Sequence, residues 1–444
     1  MAHRGQETTE TKLLKIAKVA TENTSYRFTS LASLLNEEFL ERSYHELNKH
    51  RALGVDGVSL EEYGESLSEN ISNLCKRMRE FTYRPYPVRG VSIPKDNGKV
   101  RLLGIPAIED KIVQKAIARI LEAIYEPSFL DMAYGFRPKR GCHDALNKLD
   151  KVIATRPTKY IIDTDIKGFF DNVRHEWMIK FLEHRIADRN FIRIMVRFLK
   201  AGIMEAGKYY VTEEGTPQGG IISPILSNIY LHYVLDLWLE KRIKKQSKGY
   251  VEGIRYADDF VISVQYKRDA ENILNELRAR LDKFGLELSE EKTRILLFGR
   301  YAKEKEAKPG TFDFLGITHY CDTTREGKFK VGRKTSRKKF RIKVKEINGW
   351  LKRIRNHLPV EEIWKTLKQK LRGHYEYYGI SGNYRMIASF YYRVNRALFK
   401  WLNRRSQRRS YTWEEFRKYR SKYPLPLPKI KHLYAKGTQF CEYG

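Results

Sequence analysis

Two acidic clusters hold the residues best suited to chemistry. Tyr256-Ala257-Asp258-Asp259 lies between two β-prone runs, Gly253-Ile254-Arg255 and Phe260-Val261-Ile262-Ser263-Val264, so neighbouring aspartates fall at the tip of an apolar hairpin. Aspartates in a turn are ordinarily solvated. Here the flanks are apolar enough to be buried, and a carboxylate held near a core is costly unless a cation compensates it. The second cluster, Asp163-Thr164-Asp165-Ile166-Lys167-Gly168-Phe169-Phe170-Asp171, follows the apolar run Tyr160-Ile161-Ile162. A strand period of two puts Asp163 and Asp165 on one face, and periodicity by itself does not choose between them. Hard oxygen donors from separate strands, with no His or Cys beside them, favour Mg²⁺ over zinc. Such a set suits in-line phosphoryl transfer assisted by two ions.

The elements that must position these acids alternate along the first three quarters of the chain. Short β-like runs at 88–94, 160–165, 209–211, 254–257, 260–264 and 293–298 interleave with helical periodicity at 111–125, 176–184, 224–240 and 268–284, an α+β pattern. Beyond residue 320 the character changes. Ile347, Trp350, Leu351 and Ile354, then Ile387, Phe390, Val394, Leu398 and Trp401, recur at helical spacing and predict a small bundle. This part carries 33 Lys and Arg against 9 Asp and Glu, most of the chain's net charge of +31. The step in charge predicts a domain boundary in or just after residues 300–310, or within 322–336. Cations Lys352, Arg353, Arg355, Arg393, Arg396, Arg404, Arg405, Arg408 and Arg409, interleaved with Tyr375, Tyr377, Tyr378, Tyr391 and Tyr392, predict a surface that follows a nucleic-acid backbone.

Other function classes are disfavoured. At 444 residues the chain is long enough for two to four domains. No apolar run reaches the ~18–20 residues that span a bilayer, so no membrane partner is expected. The first fifteen residues lack the apolar segment of a secretory signal, so a cytoplasmic rather than secreted protein is expected, with association with the bacterial nucleoid compatible with its charge. Cys75, Cys142, Cys321 and Cys441 are far apart and read as reduced thiols. Neither a Ser-His-Asp set nor a P-loop stands out.

Further blocks fall in order along the chain. They are Ile93-Pro94-Lys95 through Lys99-Val100-Arg101-Leu102-Leu103-Gly104-Ile105-Pro106, then Tyr134-Gly135-Phe136-Arg137-Pro138, then Gly215-Thr216-Pro217-Gln218-Gly219-Gly220 between the two acidic boxes. Downstream lie Phe312-Asp313-Phe314-Leu315-Gly316 and Arg372-Gly373-His374-Tyr375-Glu376-Tyr377-Tyr378-Gly379. Together they resemble the group II intron reverse transcriptases, the maturase-reverse transcriptases of bacteria and organelles, from about Phe28 to Tyr434. The resemblance implies a right-hand polymerase fold, with fingers and palm built on antiparallel sheet and followed by an α-helical thumb or maturase domain. The implied divisions are an N-terminal tail (1–27), fingers and palm with an N-terminal extension (28–320), the helical RNA-binding thumb (321–430) and a basic tail (431–444), with no endonuclease domain.

The implied activity is RNA-directed DNA synthesis with two Mg²⁺ ions, Mn²⁺ being a possible substitute, together with binding of group II intron RNA in splicing and mobility. Asp165 and Asp258 are the implied principal metal ligands, with Asp259 a weaker contributor and the Ile166 carbonyl a further oxygen; Asp163 is taken as structural. Lys95 and Arg101 are expected to hold the triphosphate, and Gln218 to contact the incoming nucleotide. Phe170 is expected to lie under the sugar and exclude a 2′-hydroxyl, and Lys292 to assist pyrophosphate departure. Arg404, Arg405, Arg408, Arg409, His374 and Tyr375 are expected on RNA. The implied partners are intron RNA, an RNA template with a DNA primer, and dNTPs, with no obligate protein partner. Two alternatives stand beside this reading: a domesticated or defence-associated reverse transcriptase without an intron, and an RNA-binding maturase that has lost polymerase activity.

Overall fold

The computed structural model describes residues 8–48, 52–94, 100–205, 208–210, 214–215, 219–304, 309–405 and 411–434. Helices α1 (Thr9–Glu22), α2 (Glu37–His45), α3 (Leu60–Gly64) and α4 (Leu67–Arg79) open the chain, and α1 and α2 pack on α5 (Ile108–Tyr125). In α5, Ile112, Val113, Ala116, Ile117, Ile120, Leu121 and Ile124 are all buried, so apolar residues cover more than one stripe and the helix is enclosed. Between α4 and α5 the hairpin β1 (Val88–Pro94) and β2 (Val100–Ile105) pairs Ile93 with Arg101.

Next come α6 (Cys142–Thr155), β3 (Tyr160–Asp165), α7 (His175–Arg185) and α8 (Arg189–Leu199), the last started by Asp188, whose carboxylate accepts from the N–H groups of Asn190 and Phe191. Strands β4 (Ile203–Glu205) and β5 (Lys208–Tyr210) join the first hairpin in the order β2-β1-β4-β5, and β1 runs parallel to β4. This sheet is therefore mixed rather than purely antiparallel. Helix α9 (Ser223–Leu231) continues through π-helical turns at His232–Asp236 and Leu239–Ile243 into α10 (Lys244–Gln246).

Strands β6 (Val251–Tyr256) and β7 (Asp259–Val264), helix α11 (Lys267–Lys283) and β8 (Arg294–Leu297) complete the central antiparallel sheet, order β6-β7-β3-β8. This sheet is buried on both faces. Ile162, Phe260 and Ile262 enter one core with α5, α7, α9 and α11, while Ile161, Ile254 and Val261 enter a second with α6 and the C-terminal helices. That burial explains the unbroken apolar runs in β3 and β7.

A three-stranded sheet, β9 (Thr311–Phe314), β10 (Ile317–Thr323) and β11 (Phe329–Thr335), leads to α12 (Arg337–Ile354), α13 (Val360–Tyr378), α14 (Tyr384–Leu402) and α15 (Trp413–Lys422). Ser336 caps α12 by accepting from the Lys339 N–H. The helical part thus begins at Arg337, and residue 321 falls inside β10. Phe312, Phe314, Ile317 and Val331 share a core with Leu367, Leu371, Ile387 and Leu398, so the charge step does not coincide with a break in packing. Cys75 is buried, Cys142 and Cys321 are half-buried, and all three are free thiols; Cys441 lies outside the described residues.

Candidate active site

The β3–β7 register sets Asp165 directly opposite Asp259, and residues facing each other across antiparallel strands have Cβ atoms roughly 4.5–5.5 Å apart. Asp258 is the second residue of the two-residue turn joining β6 to β7. The first, Ala257, has φ +56°, a conformation that costs a residue with a Cβ. Its surroundings hold it there. The Arg255 guanidinium, fully buried, donates to both Asp236 carboxylate oxygens (2.8 and 2.6 Å), to Asn228 Oδ1 (3.1 Å) and to the Ala257 carbonyl (3.0 Å). Asn228 in turn donates to the Gly135 carbonyl at 2.8 Å. Gly135 lies so close that a Cβ there would run into the backbone N of Ala257.

The acids differ in surroundings. Asp163 is paired with Arg294 at 3.2 Å, consistent with a structural part. Asp165 accepts from the Lys292 ammonium at 2.7 Å. Burial first, then the neighbouring Asp258, Asp163 and Asp165 carboxylates, push Asp259 up to about 7, against the pull of a hydrogen bond from the Leu315 N–H. Among the described residues no three His, Cys, Asp or Glu side chains form a ready-made metal cage. The acids instead fit an open site for a hard cation, one that keeps waters and substrate oxygens among its ligands. Ile166, whose carbonyl was expected as a further ligand, is buried and forms an isolated bridge with Leu288.

Around the acids, Gly168 at φ +56° turns the chain so that Phe169 enters the core while Phe170 stays half-buried, its ring edge-on to Phe169 at 5.2 Å. Gly215, at φ +87°, packs where a Cβ would meet the carbonyls of Phe170 and Asp171 at 3.0 and 3.1 Å, and His175 Nε2 hydrogen-bonds the Gly215 carbonyl at 2.6 Å. The Gly215 loop and the Phe170 turn are thereby held together. Lys95 and Gln218 lie outside the described residues, and of Arg101 only the backbone, in β2, is described.

The turn between β9 and β10 touches the same site. Leu315 and Gly316 both have positive φ (50° and 75°), as a tight two-residue hairpin requires. Leu315 donates its N–H to Asp259, and its carbonyl accepts from the Tyr377 hydroxyl of α13 at 2.9 Å. Sequence reasoning missed the Arg255, Asp236, Asn228 and Tyr377 contacts. Oppositely charged residues inside apolar stretches, Asp236 beside Val234-Leu235 and Arg255 beside Ile254, were the available signal.

The expected RNA contacts need correction. His374 and Tyr375 are buried: the His374 ring stacks on Phe390 at 3.7 Å, and burial carries its pKa down to about 3. Both rings serve the helical core and offer no face to RNA. Arg404 is exposed, whereas Arg405 is half-buried and donates to the Leu358 carbonyl at 3.0 Å. Arg408 and Arg409 lie outside the described residues.

Comparison with known proteins bears on this arrangement. Residues 93–319 match the reverse transcriptase (RNA-dependent DNA polymerase) family, and residues 337–420 match the group II intron maturase-specific domain. The group II intron-encoded protein LtrA of Lactococcus lactis subsp. cremoris is 30% identical over 87% of this chain and 76% of its own length. The chain belongs to the group II intron reverse transcriptases. Protein YkfC of Escherichia coli is 36% identical over 54% of the chain and 71% of its own length. The putative COX1/OXI3 intron 1 protein of Saccharomyces cerevisiae is 28% identical over 65% and 40%. This reverse transcriptase is an RNA-directed DNA polymerase that depends on divalent metal, and it binds group II intron RNA in splicing and mobility. No helix among its described residues is long and apolar enough to cross a membrane.

Proposed function

We propose that Asp165 and Asp258 hold two Mg²⁺ ions, with Asp259 contributing beside them, and that the enzyme extends a DNA primer with dNTPs along an RNA template. The observation that carries this reading is the pairing of Asp165 opposite Asp259 with Asp258 at the adjoining turn, which gathers three acids at one end of the central sheet. When bound, the ions supply a lowered pKa for the primer 3′-hydroxyl and charge neutralisation at the leaving pyrophosphate; Mn²⁺ offers the same oxygen-ligand chemistry. The protein's own part is to fix the acids before substrate arrives. Arg255 clamps the turn carbonyl from below and the Leu315 N–H orients Asp259, so little reorganisation is left for the reaction itself.

Phe170 and the Gly215 loop form the nucleotide side of the site. A half-buried aromatic edge there disfavours a 2′-hydroxyl by clash and by stripping its water, selecting dNTPs. The Lys292 ion pair with Asp165 supports a role for its ammonium in meeting negative charge as pyrophosphate departs. Lys95, Arg101 and Gln218 complete this reading as triphosphate and nucleotide contacts. Of the RNA-contact residues read from sequence, exposed Arg404 remains, with Arg408 and Arg409 beside it in the chain. Primer extension on an RNA template with and without Mg²⁺ tests the activity. Asp258→Asn should abolish synthesis while leaving RNA affinity within a few-fold, and equal loss of both would refute this division of labour.

A further inference from the structure

Helix α4 ends in an unusual way. Phe81 follows its C-cap at φ +57°, the left-handed position that glycine ordinarily fills, and its ring is 40% exposed. An exposed Phe gains little there from burial, and its backbone is strained. The Arg193 guanidinium lies 4.5 Å from the Phe81 ring centroid. The Phe81 carbonyl accepts from Arg197 at 2.9 Å and Arg84 at 3.1 Å, and the Tyr83 carbonyl accepts from Arg197 at 2.7 Å. A second aromatic of the same loop, Tyr86, is 48% exposed.

The arginines belong to a row. Arg189, Arg193, Arg197 and Lys200 recur along α8 and its C-cap, a stretch of roughly 16 Å at the helical rise. Arg197 and Lys200 also suit the negative end of the helix dipole, but Arg189 in the first turn opposes it. Among the described residues none of these four, nor Arg84, forms an ion pair, whereas Lys167 and Arg174 nearby in the chain do. Arg84 and Arg193 depress the Arg197 pKa in addition to its burial, a sign of uncompensated crowding. At the far end of the row, Phe198 and Leu199 line a small cavity with Tyr86 and Gly220.

We propose that α8 and the Phe81–Tyr86 loop bind the single-stranded, not yet copied part of the RNA template, with the cations on its phosphates and Phe81 and Tyr86 stacking on its bases. Rigid cations beside exposed aromatics are what an unpaired strand requires, whereas a duplex hides its bases from stacking. The inference rests on the polymerase reading. Its test compares binding of an RNA template annealed to a DNA primer, with a long unpaired template overhang or a single-nucleotide one, by fluorescence anisotropy across salt concentrations.

For the long overhang, combined Arg189→Gln, Arg193→Gln and Lys200→Gln should flatten the slope of log affinity against log salt by about two. Phe81→Gly should weaken that complex about tenfold while leaving Tm unchanged or raised, since glycine suits the backbone there; a purely structural Phe81 would lower Tm instead. Affinity for the single-nucleotide overhang should stay within about twofold of wild type, below the loss of one stacked base. Unchanged binding of the long overhang, or equal loss on both templates, overturns the proposal. Failure of the polymerase reading is distinct: wild-type enzyme would then extend neither primer.

Discussion

Asp259, half-buried, and Asp110, fully buried, are two carboxylates with different solutions. Asp259 is crowded by other acids and leans on one backbone N–H, the situation a bound cation relieves. Asp110, on α5, accepts from the Tyr83 hydroxyl and, at 2.9 Å, from the Tyr86 N–H, yet burial still pushes it up to about 7. An acid whose folded pKa exceeds its unfolded value holds extra protons in the folded state. Its burial is therefore cheapest in acid, and stability falls as pH rises from about 4 to about 7, by on the order of a few kcal/mol. Asp110→Asn should remove that decline, read as Tm at pH 5 against pH 8. Phe170 offers a second check at this scale. Phe170→Ala should let the enzyme incorporate ribonucleotides, seen by primer extension with each NTP set, and undiminished discrimination would take the gate from this side chain. The pairs Asp163/Asp165 and Asp258/Asp259 stand out in the sequence because acids interrupt apolar runs, whereas the choice of Asp165 over Asp163 and the role of Phe170 came from the family resemblance. The sequence could not separate His374 from the RNA face, since an aromatic amid tyrosines at helical spacing reads the same whether it stacks on a base or, as here, on Phe390.

Individual elements supply the geometry that residues alone lack. The β3 and β7 runs were legible to within a residue because burial on both faces leaves unbroken apolar runs that turn residues bound. The helix after Gly220 was legible at its start but not in its form or its end, which lies at Gln246 rather than residue 240: its π-helical turns around Asp236 meet tertiary partners, Arg255 among them, that no local pattern announces. The link from the helical domain to the acids was equally invisible, because Tyr377, Leu315 and Asp259 are distant in sequence and meet through a backbone turn. That link makes a prediction for α13. Tyr377→Phe keeps the ring and deletes one hydrogen bond, net about 1 kcal/mol. If the Leu315 turn orients Asp259, kcat should fall several-fold, up to about tenfold, with primer–template affinity and Tm little changed. A loss confined to Tm would make the contact structural only.

Across the whole molecule, charge and packing follow different boundaries. The cationic excess begins near the helical domain, but that domain shares a core with β9, β10, β11 and α6, so the polymerase and maturase parts form one packed body. The step in charge was readable because it is compositional; the shared core was not, because the apolar residues on both sides look alike in sequence. The same distinction sorts the basic residues. On α14, Arg393, Arg396 and Lys400 are exposed, with Tyr392 at 61% exposure beside them, while Tyr375 and Tyr378 of α13 are buried. Arg355 is half-buried, donating to the Arg404 carbonyl at 3.0 Å and lying 4.9 Å from the Trp401 ring. Replacing Arg393, Arg396 and Lys400 together with glutamine should therefore weaken intron RNA binding and flatten its salt slope by about two to three, with Tm little changed. Arg355→Gln should do the reverse, lowering Tm through lost packing and hydrogen bonds while leaving the slope nearly intact. Equal slopes for wild type and the α14 variant would mean that those cations serve solvation alone, and the path of the intron RNA would have to run over another face of the bundle.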